Sequence, residues 1–319
     1  MRRRDWLLAA GGVAAGCRKS GRRRIAVIPK STAHIFWVSV QAGALAAGQE
    51  FGLDILWNGA PTETEFSRQI QIVDSMVAQR VDGIALAASD RKALVGPVDR
   101  AMAAGIPVTV FDSGLDSENY TSFVATDNYE AGKMGARKLA ALLGGEGPVA
   151  VVQHAPGSQS TMDRERGFRD VLAAEFPGVR IVAEQFAMGD RAKARAAAEN
   201  MLAAHGGLRG FFASTEPASA GISLALKARG RDGQVRFVGF DFSDAMVEDL
   251  RAGVMDAMVV QNPFQLGFEA VRTLHAKLHG ETPEKRIDLP ARVVERGDLE
   301  DEEVRRVLNP DVKKYLDGR

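Results

Sequence analysis

The chain has 319 residues, 45% hydrophobic and 26% charged, enough apolar material for two α/β domains with separate cores and too much for a disordered chain. Its 41 basic and 41 acidic residues cancel, which gives no electrostatic reason to expect a nucleic-acid partner. A single cysteine excludes a disulfide framework within the chain.

Residues 1–16 read as an export segment: Arg2, Arg3 and Arg4 precede a stretch of small and apolar residues from Trp6 to Gly16, too short to span a bilayer permanently. The string from Arg3 to Leu8 resembles a twin-arginine export motif, and Ala14-Ala15-Gly16-Cys17 resembles a lipobox, in which small residues admit a peptidase that cuts before a lipid-bearing cysteine. Cys17 is therefore the expected lipidation site, which leaves no catalytic thiol. Residues 17–24 form a basic tether.

The body then alternates short apolar runs with longer amphipathic stretches. The runs are Ile25 to Ile28, Leu53 to Trp57, Gly83 to Ala87, Pro107 to Phe111, Val149 to Val152, Gly210 to Ala213 and Val235 to Gly239, as expected for parallel strands covered on both faces. Between them, Phe66, Ile70, Val73 and Val77 recur at helical spacing, and so do Val95, Val98 and Met102. Strands alternating with helices predict right-handed βαβ units in doubly wound sheets.

The second half echoes the first. Residues 83–113 run strand, acidic turn, helix, and a strand ending in Phe111-Asp112-Ser113; residues 210–243 repeat that order and end in Phe240-Asp241-Phe242-Ser243. Two lobes, each presenting an aspartate at the carboxyl end of a strand, predict a ligand held between them, because ligands of open α/β sheets bind beyond those ends.

These residues together resemble the type I periplasmic sugar-binding proteins of ABC importers, close to the ribose-binding branch. The resemblance spans residues 24 to about 312 and is carried by Ile28-Pro29-Lys30 with Phe36-Trp37, Phe111-Asp112-Ser113, Ala125-Thr126-Asp127-Asn128 with Gly132, Arg164 with Gly167-Phe168, Val238-Gly239-Phe240-Asp241, and Gln261 with Pro263. It implies two Rossmann-like doubly wound lobes joined by a three-segment hinge, near 126–127, 261–262 and 288–290. The implied division is 25–126 plus 262–289 for the N-terminal lobe and 127–261 plus 290–319 for the C-terminal lobe.

The chemistry suits a polyhydroxylated ligand. Asp112 and Asp241 can each accept two hydroxyls, Arg164 supplies fixed donors, and Gln261 offers both donor and acceptor. Phe36 and Trp37 provide an aromatic wall for the C–H face of a sugar ring. Lys30, Thr126, Asp163 and Thr215 complete the expected ligand contacts, with Arg166 a competing register for Arg164 and Asn128 a residue that shapes the hinge. Where the ribose branch has asparagines, this chain has Ala87 and, after the strand ending at Ala213, Ser214 and Thr215, so the resemblance leaves the sugar open: an aldose, a deoxysugar, a polyol or a furanosyl autoinducer.

The expected partners are a small sugar or polyol, an ABC permease with its ATPase, and a membrane reached through the lipid anchor; no cofactor or metal is expected, and the chain is expected to be a monomer. A chemosensory role fits the same fold. A nicotinamide-dependent enzyme is disfavoured because no Gly-x-Gly-x-x-Gly follows the first strand, and histidines 34, 154, 205, 275 and 279 show no metal spacing. A LacI-like regulator would need a helix-turn-helix headpiece where only 24 residues precede the first strand.

Overall fold

The computed structural model describes residues 21–32 and 34–316. The export segment 1–16, Cys17 and the tether up to residue 20 lie outside the described residues.

The first sheet takes β1 (Arg24–Ile28), β2 (Asp54–Trp57), β3 (Gly83–Leu86), β4 (Val108–Phe111) and β5 (Ser122–Thr126), linked through α1 (Ile35–Phe51), α2 (Phe66–Ala78) and α3 (Val95–Ala103). The chain then enters α4 (Asn128–Leu143), β6 (Gly147–Gln153), α5 (Gln159–Glu175), β7 (Val179–Phe186), α6 (Arg191–Ala204), β8 (Gly210–Ala213), α7 (Glu216–Ala228), β9 (Arg236–Phe240), α8 (Asp244–Ala252) and β10 (Ala257–Val260). It returns as α9 (Pro263–Leu278) and β11 (Arg286–Leu289), crosses again to β12 (Arg292–Glu295) and α10 (Glu302–Leu308), and ends in α11 (Lys313–Leu316).

The two six-stranded sheets have orders β11-β5-β4-β3-β1-β2 and β12-β10-β9-β8-β6-β7. Every pairing in the first is parallel; in the second only β12 runs antiparallel, against β10. The strand period of two divides each sheet between two cores. In β1, Ile25 and Val27 pack with Trp37, Val40, Leu266 and Leu274, whereas Ala26 and Ile28 pack with Ile72, Val73, Val98 and Val110 on the other face. The second sheet is covered in the same way, by α4 and α5 residues such as Leu139 and Phe168 on one face and by α6 and α7 residues such as Met201 and Ile222 on the other.

Helix pairs α1 with α9 and α4 with α5 pack closely through glycines. A Cβ on Gly43 or Gly267 would overlap the backbone carbonyl of Phe264 or Val40, and one on Gly132 or Gly167 would overlap that of Arg164 or Tyr129. Gly132 thus sets the distance between α4 and the turn of α5 that bears Arg164, a structural reason for its place beside the hinge.

Three sequence expectations are corrected. Phe66 is 44% exposed, while Ile70, Val73 and Val77 do pack on the core; the fully buried face of α2 is completed by Gln69, Ile72 and Met76, with the polar Gln69 side chain bridging the carbonyls of Pro29 and Ala87 from inside. The tail after residue 290 does not belong wholly to the second lobe: α11 lies on α1, and Tyr315 and Leu316 pack against the first lobe's core. Asn128 does more than shape a hinge, since its side chain holds Arg164.

Candidate functional site

The chain passes between lobes between β5 and α4, between β10 and α9, and between β11 and β12, so the carboxyl ends of both sets of strands face one cleft. The two aspartates arrive there by the same device. The backbone N–H of Asp112 still donates to Val124 across the strand ladder at 2.9 Å, and that of Asp241 to Val259 at 2.9 Å. Each residue then turns into the left-handed region, at φ 58° and 62° respectively. Aspartate tolerates that region better than most residues, and strain of this kind collects at functional sites.

Lys30, Phe36, Trp37, Asp112, Arg164, Thr215, Asp241 and Gln261, all expected from sequence, line one central cavity, and His34, Glu63, Ser160 and Thr161 join them. Thr126 and Asp163 are not brought to it; they line a neighbouring space. Asp163 instead accepts from Gln159 at 2.8 Å and Arg166 at 2.8 Å, and Arg166 is the exposed member of the two candidate arginines. Both aromatic rings are buried, with centroids 5.0 Å apart in an edge-to-face pair.

Arg164 is fixed on three sides. Its Nε donates to Asn128 Oδ1 at 2.7 Å, its Nη1 to the carbonyl of Ser214 at 2.9 Å, and its guanidinium lies 3.9 Å from the ring centre of Phe240. Asp241 Oδ2 is 3.8 Å from Arg164 Nη1, and Oδ1 accepts from Gln261 Nε2 at 2.7 Å. Burial pushes the Asp241 carboxyl above its ordinary value; the Arg164 charge and the Gln261 hydrogen bond offset this only in part. Next to Arg164, Glu165 accepts from the His154 backbone N–H at 3.1 Å and from Ser214 Oγ at 2.9 Å, which ties the end of β6 to that of β8.

Lys30 crosses the cleft. Its ammonium stands 3.0 Å from Asp112 Oδ2 on its own lobe and donates to Ser158 Oγ at 3.2 Å and Ser160 Oγ at 3.0 Å on the other. Glu63 is the second crossing and was not foreseen from sequence. It accepts from His34 Nε2 at 2.9 Å and Trp37 Nε1 at 2.7 Å, and pairs with His154 Nε2 of the opposite lobe at 3.1 Å. Burial would raise the Glu63 carboxyl, but the hydrogen bonds and charges of His154 and His34 hold it well below the usual carboxylate range. Burial would lower His34, yet the Glu63 hydrogen bond and charge leave it raised above its ordinary 6.5. Glu63, one of two glutamates in the loop Thr62-Glu63-Thr64-Glu65, carries no sequence signal of such a role; only the fold brings it beneath Trp37.

With the lobes in this arrangement the central cavity measures about 20 Å³. Ligand pockets usually hold roughly 300–1,000 Å³, so a sugar enters only when the lobes part or side chains such as Lys30 retract.

The chain is similar to known proteins over most of its length. The periplasmic binding protein domain family matches residues 25–282. The D-ribose/D-allose-binding protein of Pseudomonas aeruginosa is 31% identical over 273 residues, covering 83% of this chain and 85% of the relative. The D-allose-binding periplasmic protein of Escherichia coli is 29% identical over 257 residues, covering 78% and 82%. Among solved structures, a carbohydrate-transporter solute-binding protein from Agrobacterium radiobacter in complex with D-arabinose has a TM-score of 0.89 and 30% identity, covering 91% of this chain and 100% of that one. An ABC transporter solute-binding protein from Agrobacterium vitis with bound D-fucose has a TM-score of 0.87 and 35% identity, covering 90% and 100%. The chain thus belongs to the periplasmic binding protein family, the substrate-binding components of importers rather than enzymes.

Proposed function

We propose that the protein captures a neutral monosaccharide or comparable polyol between Asp112 and Asp241 and delivers it to the permease and ATPase of an ABC importer. The observation that carries this reading is charge balance. The cavity wall holds Lys30, Arg164 and His34, whose protonated form Glu63 favours, against Glu63, Asp112 and Asp241. Lys30 is already paired with Asp112, His34 with Glu63 and, at 3.8 Å, Arg164 with Asp241, which leaves no unpaired cation in this wall to attract an anionic ligand, while two carboxylates from opposite lobes give hydroxyl groups acceptors that only the closed form supplies together. Relatives named for ribose and allose, and structures holding D-arabinose and D-fucose, support a sugar of this size. Thr215, whose buried Oγ1 has no hydrogen-bond partner among the described residues, is available to a ligand hydroxyl.

A thermal-shift panel of these sugars, other aldoses, deoxysugars and polyols tests it. A ligand at a hundredfold excess over Kd adds about 2.7 kcal/mol, a rise of roughly 5 °C for a protein of this size. Stabilisation by a sugar acid but by no neutral sugar or polyol would refute the reading.

The family places the protein on the extracytoplasmic side, and the sequence before Cys17 supports lipid anchoring there. Cys17→Ser is expected to move the protein from the membrane to the soluble fraction; retention at the membrane would overturn the anchor.

A further inference from the structure

Beside the central cavity the cleft carries a second space of about 640 Å³. The loop after β4 and the end of β5 bound it on one lobe, and the first turns of α4 and α5 on the other. Asp112 and Ser160 line both spaces, so the two adjoin.

Its wall has the chemistry of a site for a neutral polar ligand. Thr126, a residue of this wall, is buried, and its Oγ1 has no hydrogen-bond partner among the described residues. The arginines that line the space are already paired: Arg91 with Asp116 at 2.7 Å, Arg166 with Asp163 at 2.8 Å, and Arg286 with Asp288 at 2.8 Å. Pairing offsets each of these charges and so weakens their pull on a phosphate or carboxylate, while the carboxylates retain lone pairs for hydroxyl groups. Tyr120, Phe123 and Tyr129 add rings to the same wall, each carrying a cation over part of its face, Lys285 at 4.1 Å, Arg286 at 5.2 Å and Arg166 at 4.7 Å from the ring centre, so a sugar's C–H face meets only the ring surface left open.

We propose that this space is a second sugar subsite, so that the cleft accepts a disaccharide whose first ring lies between Asp112 and Asp241 and whose second ring lies against Thr126, Asp163 and Tyr129. The inference rests on the sugar-binding reading above and extends it from monosaccharides to their glycosides. A subsite beyond the first ring also explains why Thr126 and Asp163, expected as ligand contacts, stand outside the central cavity.

Isothermal titration tests this with D-allose, D-ribose, D-arabinose and D-fucose, and with disaccharides in which each is glycosidically linked to glucose. At least one disaccharide is expected to bind within about tenfold of its free sugar, a difference of at most ~1.4 kcal/mol. Ser117→Trp, which places an indole in the second space from a half-buried loop position, is expected to weaken that disaccharide by about tenfold or more and leave the free sugar unchanged. Tyr129→Ala, which removes a ring without adding bulk, is expected to weaken the disaccharide alone and decides the matter if the Trp variant does not fold.

If free sugars bind but every disaccharide is weaker by about a hundredfold or more, the subsite is overturned and the monosaccharide reading stands. Two variants that leave disaccharide affinity unchanged overturn it as well. If no disaccharide and no neutral sugar or polyol of the wider panel binds, both readings fall.

Discussion

Asp241→Asn and Asp112→Asn are each expected to weaken sugar binding by about a hundredfold, and also to lower the melting temperature of the sugar-free protein, because each removes the counter-charge of a buried cation, Arg164 or Lys30. Each carboxylate can accept two ligand hydroxyls. A charge-assisted hydrogen bond contributes roughly 1.5–3 kcal/mol against about 1 for a neutral one, so replacing two of them costs on the order of 3 kcal/mol. Asparagine isolates the charge, because it tolerates the left-handed backbone at φ 58° and 62°, whereas alanine would add backbone strain of about 1 kcal/mol. The folded chain keeps its other contacts: Arg164 retains Asn128 and the Ser214 carbonyl, and Lys30 retains Ser158 and Ser160. Titration of both variants with the sugar that binds wild type most tightly checks the expectation, and affinities equal to wild type would remove the aspartates from the binding site.

The second large effect is expected at Glu63. Its carboxylate pairs with His154 across the cleft and with His34 and Trp37 on its own lobe. Breaking a buried pair from one side typically costs about 3–5 kcal/mol, because the partners lose their counter-charge without regaining water. Part of that cost falls on the closed form alone, since His154 stands on the opposite lobe. Glu63→Gln should therefore both destabilise the fold and weaken sugar binding.

The pH profile identifies the cause. The Glu63 carboxyl is held below its ordinary 4.5, so its contribution is complete above that value and is lost as pH falls through the lowered one. His34 is raised above 6.5, so its contribution is complete below that value and is lost as pH rises through the raised one. The stability difference between wild type and Glu63→Gln is expected to be greatest between pH 4.5 and 6.5 and to shrink on either side. Taking the difference removes Asp241 and Glu165, whose carboxyls burial pushes up and which act in the opposite sense in acid. Melting curves of both proteins from acid to mildly alkaline pH measure it, and a difference that does not vary with pH would mean that Glu63 contributes shape rather than charge.

Much of this was readable in the chain because burial on two faces writes a strong pattern. The continuous apolar runs at Ile25 to Ile28, Gly83 to Ala87 and Gly210 to Ala213 fall on β1, β3 and β8, strands in the interior of their sheets. Edge strands write a weaker one. In β7 only Val179 is fully buried, along Val-Arg-Ile-Val-Ala-Glu-Gln-Phe, and β11 alternates between exposed and half-buried residues, so neither stands out from its flanks. The internal echo exposed Asp112 and Asp241 because each lobe builds its jaw from the same strand-to-turn geometry. His34, Glu63 and His154 were beyond reach for the opposite reason: they come from three separate segments in two lobes, and no spacing along the chain links residues that meet only when the cleft closes.

A crystal structure with the most tightly bound monosaccharide tests the central claim most directly. The ring should lie between the lobes beside Phe36 and Trp37, with hydroxyl oxygens roughly 2.5–3.0 Å from the carboxylates of both Asp112 and Asp241. A sugar held by one lobe alone, or seated outside this cleft, would contradict it.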